Sequence, residues 1–290
     1  MKTIKYIIIT PVRNEEKYIE NTLISVSKQS LLPVQWIIVN DGSTDNTEPI
    51  IKTYADENEF ITLVNRENRG YRKAGGGVIE SFYEGYKHIK TDDWHFLVKL
   101  DGDLSFNSDY FEKCFDEFEK MPQLGIGGGD IYHELNGGNL LLEKQPKFHV
   151  RGATKIYKNE CWQAIGGLIK APGWDTIDEV KANMLGWSTQ SFSHLKLTHH
   201  RYTGAADGSW KNSVKNGRAN YISGYHPFFM IAKCINRIST KPFLIGSIGL
   251  FYGYIWSYLK KTERINDKKL IKFLRQQQIN LLLRRKTIWI

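Results

Sequence analysis

The stretch His95–Phe106, HFLVKLDGDLSF, runs from an apolar segment directly into two aspartates, Asp101 and Asp103, with Gly102 between them. Continuous apolar residues predict an interior strand of a parallel sheet, because both faces of such a sheet are covered. Ligands of open α/β sheets bind outside the carboxyl ends of the strands. Two carboxylates at that edge, separated by a glycine, suit a divalent cation that carries phosphates, and a capping turn is the alternative.

The flanking sequence repeats the pattern of an apolar strand followed by polar turn residues. Residues 4–12 (IKYIIITPV) and 34–45 (VQWIIVNDGSTD) are β-branched runs of this kind, and apolar side chains recur at helical spacing between them. This alternation predicts an α/β fold with a doubly wound, mostly parallel sheet and flanking helices. The strand ends TPVRNEE, VNDGSTD, NRENRGYRKAGGG and LDGD then meet at one edge, which favours a ligand site over a capping turn.

Charge is distributed unevenly along the 290 residues. Sixteen of the 40 lysines and arginines, but only two of the 31 acidic residues, lie from Trp210 onward, which leaves 24 basic against 29 acidic residues before it. The basic tail is interleaved with aromatic and aliphatic residues. This pattern predicts a surface that faces phospholipid rather than nucleic acid, since neither a base-stacking platform nor a recognition helix is visible. A solvated basic tail is the alternative.

The segment Phe243–Leu259 bears on how the chain would meet a membrane. It has 17 residues, three of them glycine, with aromatic residues crowded at one end. A helix that spans about 30 Å of hydrocarbon needs about 20 apolar residues, so a transmembrane helix is marginal here. Aromatic side chains beside lysine and arginine are typical of a segment that lies in the interface. Core helices, an oligomer contact and a true span are the alternatives.

The N-terminus and the cysteines indicate the cellular compartment in which the protein resides. The apolar run before Pro11 is too short for a signal-peptide core, and the three cysteines are far apart and odd in number. Neither a disulfide framework nor a zinc site is indicated. We expect a cytoplasmic protein that is peripheral at the cytoplasmic face of the cell membrane.

Five segments together resemble family 2 glycosyltransferases with the GT-A fold. They are TPVRNEE, VNDGSTDNT, NRGYRKAGGGV, LDGDLSF and GWDTIDEVKANMLGW, in the order and at the spacings of that family, over roughly Ile4–His200. The resemblance implies a GT-A domain over residues 1–205, with a nucleotide-binding half of about 1–104 and an acceptor half of about 105–205. A basic, aromatic-rich helical region, membrane-associated, follows over 206–290.

The family resemblance also implies a reaction. We expect inverting, metal-dependent transfer of one sugar from a UDP- or GDP-sugar to the hydroxyl of a saccharide or lipid-linked acceptor, in cell-surface glycan or lipid-linked saccharide synthesis. The Gln-x-x-Arg-Trp motif of processive members is not present around Arg218, which favours single-sugar transfer over polymer synthesis. Two alternatives are a non-catalytic module that binds nucleotide-sugar or membrane, and a sugar nucleotidyltransferase, whose glycine and arginine signature the first loop lacks.

By the same resemblance, one set of residues would bind the nucleotide-sugar. These are Pro11, Arg13, Asn14 and Glu15 in the first loop, Asp41 after the second strand, Arg69, Arg72 and Lys73 beside Gly75–Gly77, and Asp101 and Gly102. Carboxylates accept hydrogen bonds from a base or ribose, and cations at a helix start suit a diphosphate. The alternatives are a turn role for Asp41 and a flexible loop with solvated charges for the basic cluster.

The DGD segment looks like the family's Asp-x-Asp motif. Asp103 would ligate Mg²⁺ or Mn²⁺ between the two phosphates, and Asp101 would hold the ribose or a metal-bound water, because hard cations take oxygen ligands. His199, at the end of a later strand, stands near where some relatives place a histidine on the metal or diphosphate. His200 would point the other way in a regular strand, so only one of the two histidines can serve. A structural histidine is the alternative.

The resemblance assigns the catalytic base to Asp175. Inverting members carry an aspartate eleven residues before a glycine that ends a helix, and Asp175 stands eleven before Gly186, although Trp174 replaces the usual glutamate. A carboxylate is needed because the acceptor hydroxyl must lose its proton as it attacks. Asp178 and Glu179, one turn further on, are alternative bases, and N-capping is a compatible structural role for Asp175.

Overall fold

The structure is a computed structural model that describes residues 4–70, 76–134, 140–201, 208–239 and 243–289. Its strands and helices are β1 (Tyr6–Val12), α1 (Ile19–Ser27), β2 (Gln35–Asn40), α2 (Thr47–Glu57), β3 (Ile61–Asn65), α3 (Gly76–Tyr86), β4 (Phe96–Leu100), β5 (Leu104–Phe106), α4 (Tyr110–Lys120), β6 (Leu124–Glu134), β7 (Leu140–Leu142), β8 (Thr154–Lys158), α5 (Asn159–Ile165), α6 (Trp174–Met184), β9 (Ser188–His199), α7 (Ser209–Ile222), α8 (Pro227–Asn236), α9 (Ile245–Leu259) and α10 (Lys268–Leu282).

One mixed sheet organises the α/β fold with flanking helices that the sequence predicts. The strand order is β3-β2-β1-β4-β8-β6-β9-β5, with β7 paired to β6. The predicted parallel arrangement holds for β3-β2-β1-β4, where strands and helices alternate along the chain. Beyond β4 only the β6–β9 pair is parallel. The regular strand-helix-strand alternation ends there, since β6 and β7 pair antiparallel and two helices, α5 and α6, stand between β8 and β9.

Helices cover both faces of the sheet, as the continuous apolar strands predict. Side chains of β1 alternate between two core clusters: Ile8 packs in one with α1 and α4, and Ile7 and Ile9 pack in the other with α3 and α5. The central strands are thereby buried on both faces, and the loops after them leave the sheet at one edge.

The four C-terminal helices pack on the acceptor half of the chain. Ile177 and Val180 of α6 share a third apolar cluster with α7, α8, α9 and α10. Helices α7 and α9 approach closely, since a Cβ at Gly217 would lie 2.0 Å from the Leu250 carbonyl oxygen. The helical character expected for 206–290 is therefore present in its described part, and a domain division at residue 205 stays a prediction. Among the described residues, no helix combines the length and apolar character needed to cross a bilayer.

Candidate active site

The parallel strands β1, β2 and β4 end at one edge of the sheet, where the predicted polar segments meet. Arg13, just after β1, donates from Nη1 to the carbonyl oxygen of Asp41, which follows β2, over 3.0 Å. The Asp41 amide in turn donates to the carbonyl of Val12 at 2.8 Å. After β4, the Asp101 amide donates to the carbonyl of Ala153 at 2.8 Å. At this edge the segment that contains β1 to β4 is thus joined to the loop before β8.

The first loop is held in place by the loop after β2. Asn14 has a positive φ of 55°, and its side-chain oxygen accepts from the Thr44 amide at 2.9 Å. The Glu15 amide donates to Oγ1 of Thr47 at 2.7 Å. Pro11 lies within β1, where it pairs in register with Val39 of β2. The structure thus brings Pro11, Arg13, Asn14 and Glu15 together beside Asp41.

Asp41 is buried and its carboxylate is paired with two guanidinium groups. Arg66 Nη1 lies 2.5 Å from its Oδ1, and Arg69 contacts its Oδ2. Arg69 also pairs with Glu80 at 3.0 Å. Burial alone would lower the pKa of Arg69, but the hydrogen bond and charge of Asp41, with those of Glu80, raise it. Lys73, together with Arg72 and Gly75, lies outside the described residues.

Arg66 was not predicted as part of this cluster. Its amide donates to the Asn40 carbonyl at 2.9 Å, because β3 runs parallel to β2 and ends at the same edge. The sequence signal that could have found it is its position. Arg66 directly follows the end of a predicted strand, and that strand is the neighbour of the one that precedes Asp41.

Asp101 and Gly102 of the DGD segment are held in place by contacts with other residues of the chain. The Asp101 carboxylate contacts the ammonium of Lys99, a buried lysine in β4 that also donates to the Gly152 carbonyl at 2.5 Å. A Cβ at Gly102 would lie 2.6 Å from Cγ1 of Val12. The glycine is therefore required by packing against β1, in addition to any role beside a ligand.

Asp103 faces His199 and Arg201. The pairing of β5 with β9 sets Leu104 opposite His199, which brings His199 Nε2 to 3.1 Å from Oδ1 of Asp103. Arg201 Nε lies 3.4 Å from the other carboxylate oxygen. Burial alone would lower the pKa of His199, but the hydrogen bond and charge of Asp103, with further carboxylates nearby, raise it above the usual value.

His200 faces away from Asp103, as a regular strand requires. Its Nε2 lies 2.9 Å from Oγ of Ser105, and its ring stacks on Tyr18 with centroids 6.2 Å apart. Burial lowers the pKa of His200. Of the two histidines, His199 is the one beside the DGD carboxylates.

A second group near His199 could hold a metal ion. His133, Glu143 and His199 offer ligand atoms that all lie within 4.8 Å of one another, and His133 pairs with His199 in the β6–β9 register. The buried Nδ1 of His199 has no hydrogen-bond partner among the described residues. An orphaned imidazole nitrogen beside a carboxylate fits a divalent transition metal. Sequence reasoning missed His133 and Glu143 because only the strand pairing reveals their proximity.

Asp175 stands in the first turn of α6, beside the same edge. The N-cap is Gly173, with a φ of 87° and no side-chain hydrogen bond, so Asp175 does not cap the helix. A Cβ added at Gly152 would meet the Trp174 ring and Cβ of Asp175, at 2.9 and 3.4 Å. Because Lys99 bridges Gly152 to Asp101, Asp175 is a neighbour of the DGD segment. Within the described part of the chain its carboxylate makes no hydrogen bond or ion pair.

Asp178 and Glu179, the alternative bases, are buried and fully engaged. Asp178 accepts from Lys155 Nζ at 2.8 Å and from the Tyr157 hydroxyl at 2.6 Å. Glu179 accepts from the Val150 amide at 2.7 Å and pairs with Lys155 at 2.8 Å. Burial raises the pKa of Asp178 to about 6, against the opposing charge of Lys155. Both carboxylates are thus engaged within the protein, in contrast to that of Asp175, and the assignment of a base among the three stays a prediction.

Replacement of Lys155 by methionine is expected to lower the free energy of unfolding by about 3–5 kcal/mol, because two carboxylates stay buried without their cation. Urea denaturation at neutral pH measures the loss. The matched control is Lys158→Met in the same strand, a more exposed lysine whose ammonium lies over the Trp187 ring, with an expected change of less than about 1 kcal/mol. Equal stability of the two variants would contradict a structural role for the buried network.

The sequence and the fold were compared with known proteins. The family model described as "Glycosyl transferase family 2" matches residues 7–167. Glycosyltransferase GlyA of Streptococcus pneumoniae is 26% identical over 160 residues, 53% of this chain and 20% of the relative. Poly-beta-1,6-N-acetyl-D-glucosamine synthase of Staphylococcus aureus is 32% identical over 117 residues, 40% of this chain and 26% of the relative. The matched segments thus cover about a quarter or less of these relatives.

Solved structures share the fold at low sequence identity. The mannosyltransferase PcManGT of Pyrobaculum calidifontis, in complex with GDP-Man and Mn²⁺, matches with a TM-score of 0.57, 14% identity, and coverage of 96% of this chain and 80% of that one. S. aureus TarS 1–349 in complex with UDP matches with a TM-score of 0.54, 15% identity, and coverage of 97% and 86%. Its complex with UDP-GlcNAc matches with a TM-score of 0.53, 17% identity, and coverage of 91% and 74%. These neighbours have the GT-A-type arrangement expected from the sequence.

Proposed function

Because the chain belongs to glycosyl transferase family 2, we propose that it is a nucleotide-sugar-dependent glycosyltransferase that transfers one sugar to an acceptor hydroxyl with inversion. The observation that carries the proposal is the juxtaposition of an unpaired carboxylate, Asp175, with the Asp101 and Asp103 segment at one edge of the sheet. A binding module would need no such free carboxylate beside the donor site.

The donor would lie across the ends of β1, β2 and β4. Arg13 and Asp41 would face the base and ribose, and Asp101 the ribose or a metal-bound water. In the structure Asp41 is paired with Arg66 and Arg69, so the nucleobase of the donor would have to share or replace these contacts. UDP- and GDP-sugars are the donor classes we propose, and the complexes of TarS with UDP-GlcNAc and of PcManGT with GDP-Man support both.

Asp103 would hold Mg²⁺ or Mn²⁺ together with His199, with Asp101 close by. The Asp103 carboxylate and His199 Nε2, which lies 3.1 Å from its Oδ1, are an oxygen and a nitrogen ligand that would suit such an ion. When bound, the ion neutralises the charge of the departing nucleoside diphosphate. Arg201, paired with Asp103 and Glu15, would add positive charge at the same place.

Asp175 would act as the general base. It would take the proton of the acceptor hydroxyl while that oxygen bonds to the anomeric carbon and the bond from this carbon to the phosphate oxygen breaks. Attack from the face opposite the diphosphate inverts the anomeric centre. Lys155 donates to the Asp175 backbone carbonyl and so fixes the start of α6.

The acceptor and the location of the enzyme are part of the same proposal. We place the reaction at the cytoplasmic face of a membrane, with a saccharide or lipid-linked acceptor for a cell-surface glycan. The basic, aromatic-rich C-terminal helices that pack on α6 support this placement, because they would hold the acceptor side of the site near a lipid surface.

A thermal-shift panel with UDP, GDP, CDP and dTDP, each with and without Mn²⁺, tests the proposal. Saturation to about 100 times Kd contributes about 2.7 kcal/mol, so one nucleotide should raise Tm by roughly 5–10 °C, and only with metal. The corresponding nucleotide-sugars are then assayed for transfer. If no nucleotide stabilises the chain under any condition, the proposal is wrong. If a nucleotide binds but the sugar of its nucleotide-sugar is neither transferred nor hydrolysed, the chain is a binding module and not an enzyme.

A further inference from the structure

Helix α8 exposes an apolar stripe that the rest of the described chain does not cover. Phe228, Ile231 and Ile235 recur at helical spacing and point outward, with Phe228 67% and Ile235 60% exposed. Its opposite side is buried through Phe229, Met230 and other members of the third core cluster. The exposed stripe is therefore a surface of a well-packed helix.

Helix α9 continues this apolar surface. Its buried stripe packs on α7, while Ile248, Ile255 and Leu259 face outward and Leu259 is 66% exposed. The two helices touch, since Oγ of Ser247 donates to the Cys234 carbonyl at 2.6 Å. We call the exposed stripes of α8 and α9, Phe228–Ile235 and Ile248–Leu259, the apolar surface. Exposed apolar residues that are grouped on two touching helices, rather than scattered singly, are typical of an interaction surface.

Amphipathic aromatic side chains border the apolar surface. Trp256 stacks on Tyr252 with centroids 5.9 Å apart, and Tyr252 contacts Trp210 at 6.0 Å. The ammonium of Lys260 lies over the Trp256 ring, 5.1 Å from its centroid. Tryptophan, tyrosine and lysine at the edge of an apolar area are typical of the headgroup layer of a bilayer.

A basic groove opens next to the apolar surface. It has a volume of about 430 Å³, and its polar lining includes His226, Lys268, Lys272 and Arg275. Arg275 is oriented by its Nε, which donates to the Gly224 carbonyl at 2.8 Å. In the described ranges no carboxylate forms an ion pair with these three cations. We call this cavity the basic groove.

The basic groove and the apolar surface adjoin at the start of α8. The ring of His226, which lines the groove, lies 5.3 Å from that of Phe228, the first residue of the exposed stripe. A molecule with an anionic head in the groove would therefore extend its apolar part directly onto the apolar surface. This combination matches a phospholipid better than a soluble anion.

We propose that the apolar surface lies in the interface of an anionic bilayer and that the basic groove binds the phosphate of an anionic phospholipid headgroup. The inference deepens the membrane placement of the proposed function. A second copy of the chain is the less favoured occupant, because it would bring a tail with sixteen basic and two acidic residues against the same charges. No sugar donor is needed for the interaction.

Flotation of the full chain with vesicles tests the inference. We expect binding to vesicles of phosphatidylcholine with phosphatidylglycerol, and much weaker binding to phosphatidylcholine alone. Lys268→Gln with Lys272→Gln should weaken binding to the anionic vesicles about 25-fold, at roughly fivefold for each cation. The matched control, Lys28→Gln with Lys90→Gln, removes two exposed lysines outside the C-terminal helices and should leave binding unchanged. If the two pairs of variants lose binding to anionic vesicles equally, the proposed role of the basic groove is wrong.

A second pair of variants tests the apolar surface. Ile235→Ser with Ile248→Ser removes apolar area without disturbing the core and should abolish vesicle binding, whereas Leu32→Ser, at an exposed leucine outside the C-terminal helices, should not. Light scattering without lipid is measured in parallel. A dimer that the Ile235 and Ile248 changes dissociate, together with no binding to any vesicle, would overturn the inference. Donor binding and transfer are scored separately, so this failure would leave the catalytic proposal standing.

Discussion

Replacement of Asp175 by asparagine is expected to lower kcat for sugar transfer about 100- to 10,000-fold, because the acceptor hydroxyl loses its general base. The change keeps the shape of the side chain and removes only its capacity to take a proton. No other carboxylate of α6 can replace it, since Asp178 and Glu179 are held by Lys155 inside the protein. The nucleotide-induced rise in Tm should be unchanged, because in the proposed arrangement Asp175 would contact the acceptor and not the nucleotide.

The Asp175→Asn experiment compares transfer rate and nucleotide binding on the same preparation. Asp116→Asn, an exposed aspartate on α4, is the matched control and should retain full activity. Near-normal transfer by the Asp175 variant would contradict the assignment, as would retention of the anomeric configuration in the product of the unmodified enzyme. Loss of both transfer and nucleotide binding would point instead to a disturbed donor site.

Much of this site could be predicted because it depends on local pattern. The strands β1, β2 and β4 are apolar runs that end in polar turns, and parallel strands carry such ends to one edge. Arg13, Asp41 and Asp101 meet there for that reason. The order of the five family segments extended the prediction to Asp175 and His199, and the structure brings both beside the DGD segment.

The rest of the site depends on pairings that no local pattern specifies. Lys99 and Lys155 stand inside apolar strands, and only the assembled sheet shows that Lys99 reaches the Gly152 carbonyl and that Lys155 contacts the Asp178 carboxylate. The sequence favours Asp175 as the base and leaves Asp178 and Glu179 as alternatives, and only the fold shows that Lys155, more than 20 residues before these two, engages both of them. The antiparallel pairing of β8 with β4 and β6, and of β5 with β9, likewise joins distant segments in a way that hydrophobic periodicity does not encode.

Replacement of Asp103 by asparagine is expected to lower transfer about 100- to 1,000-fold and to make nucleotide binding insensitive to metal. The carboxylate offers a charged oxygen to Mg²⁺ or Mn²⁺, and the amide that replaces it is a neutral and much weaker ligand. Asparagine preserves the volume and can still accept from His199, so the fold should stay intact. Transfer and the Tm rise with nucleotide are measured over a series of Mn²⁺ concentrations.

Removal of metal with EDTA should reduce the unmodified enzyme to the level of the Asp103→Asn variant, and should change the variant little further. This non-additivity is the distinctive outcome, because the carboxylate and the ion act as one unit. Ser105→Ala, two residues away on the His200 side, is the matched control and should keep its metal response. If EDTA and the Asp103 change reduce transfer independently, the carboxylate acts without the ion, and Asp103 serves to orient His199 and Arg201 instead.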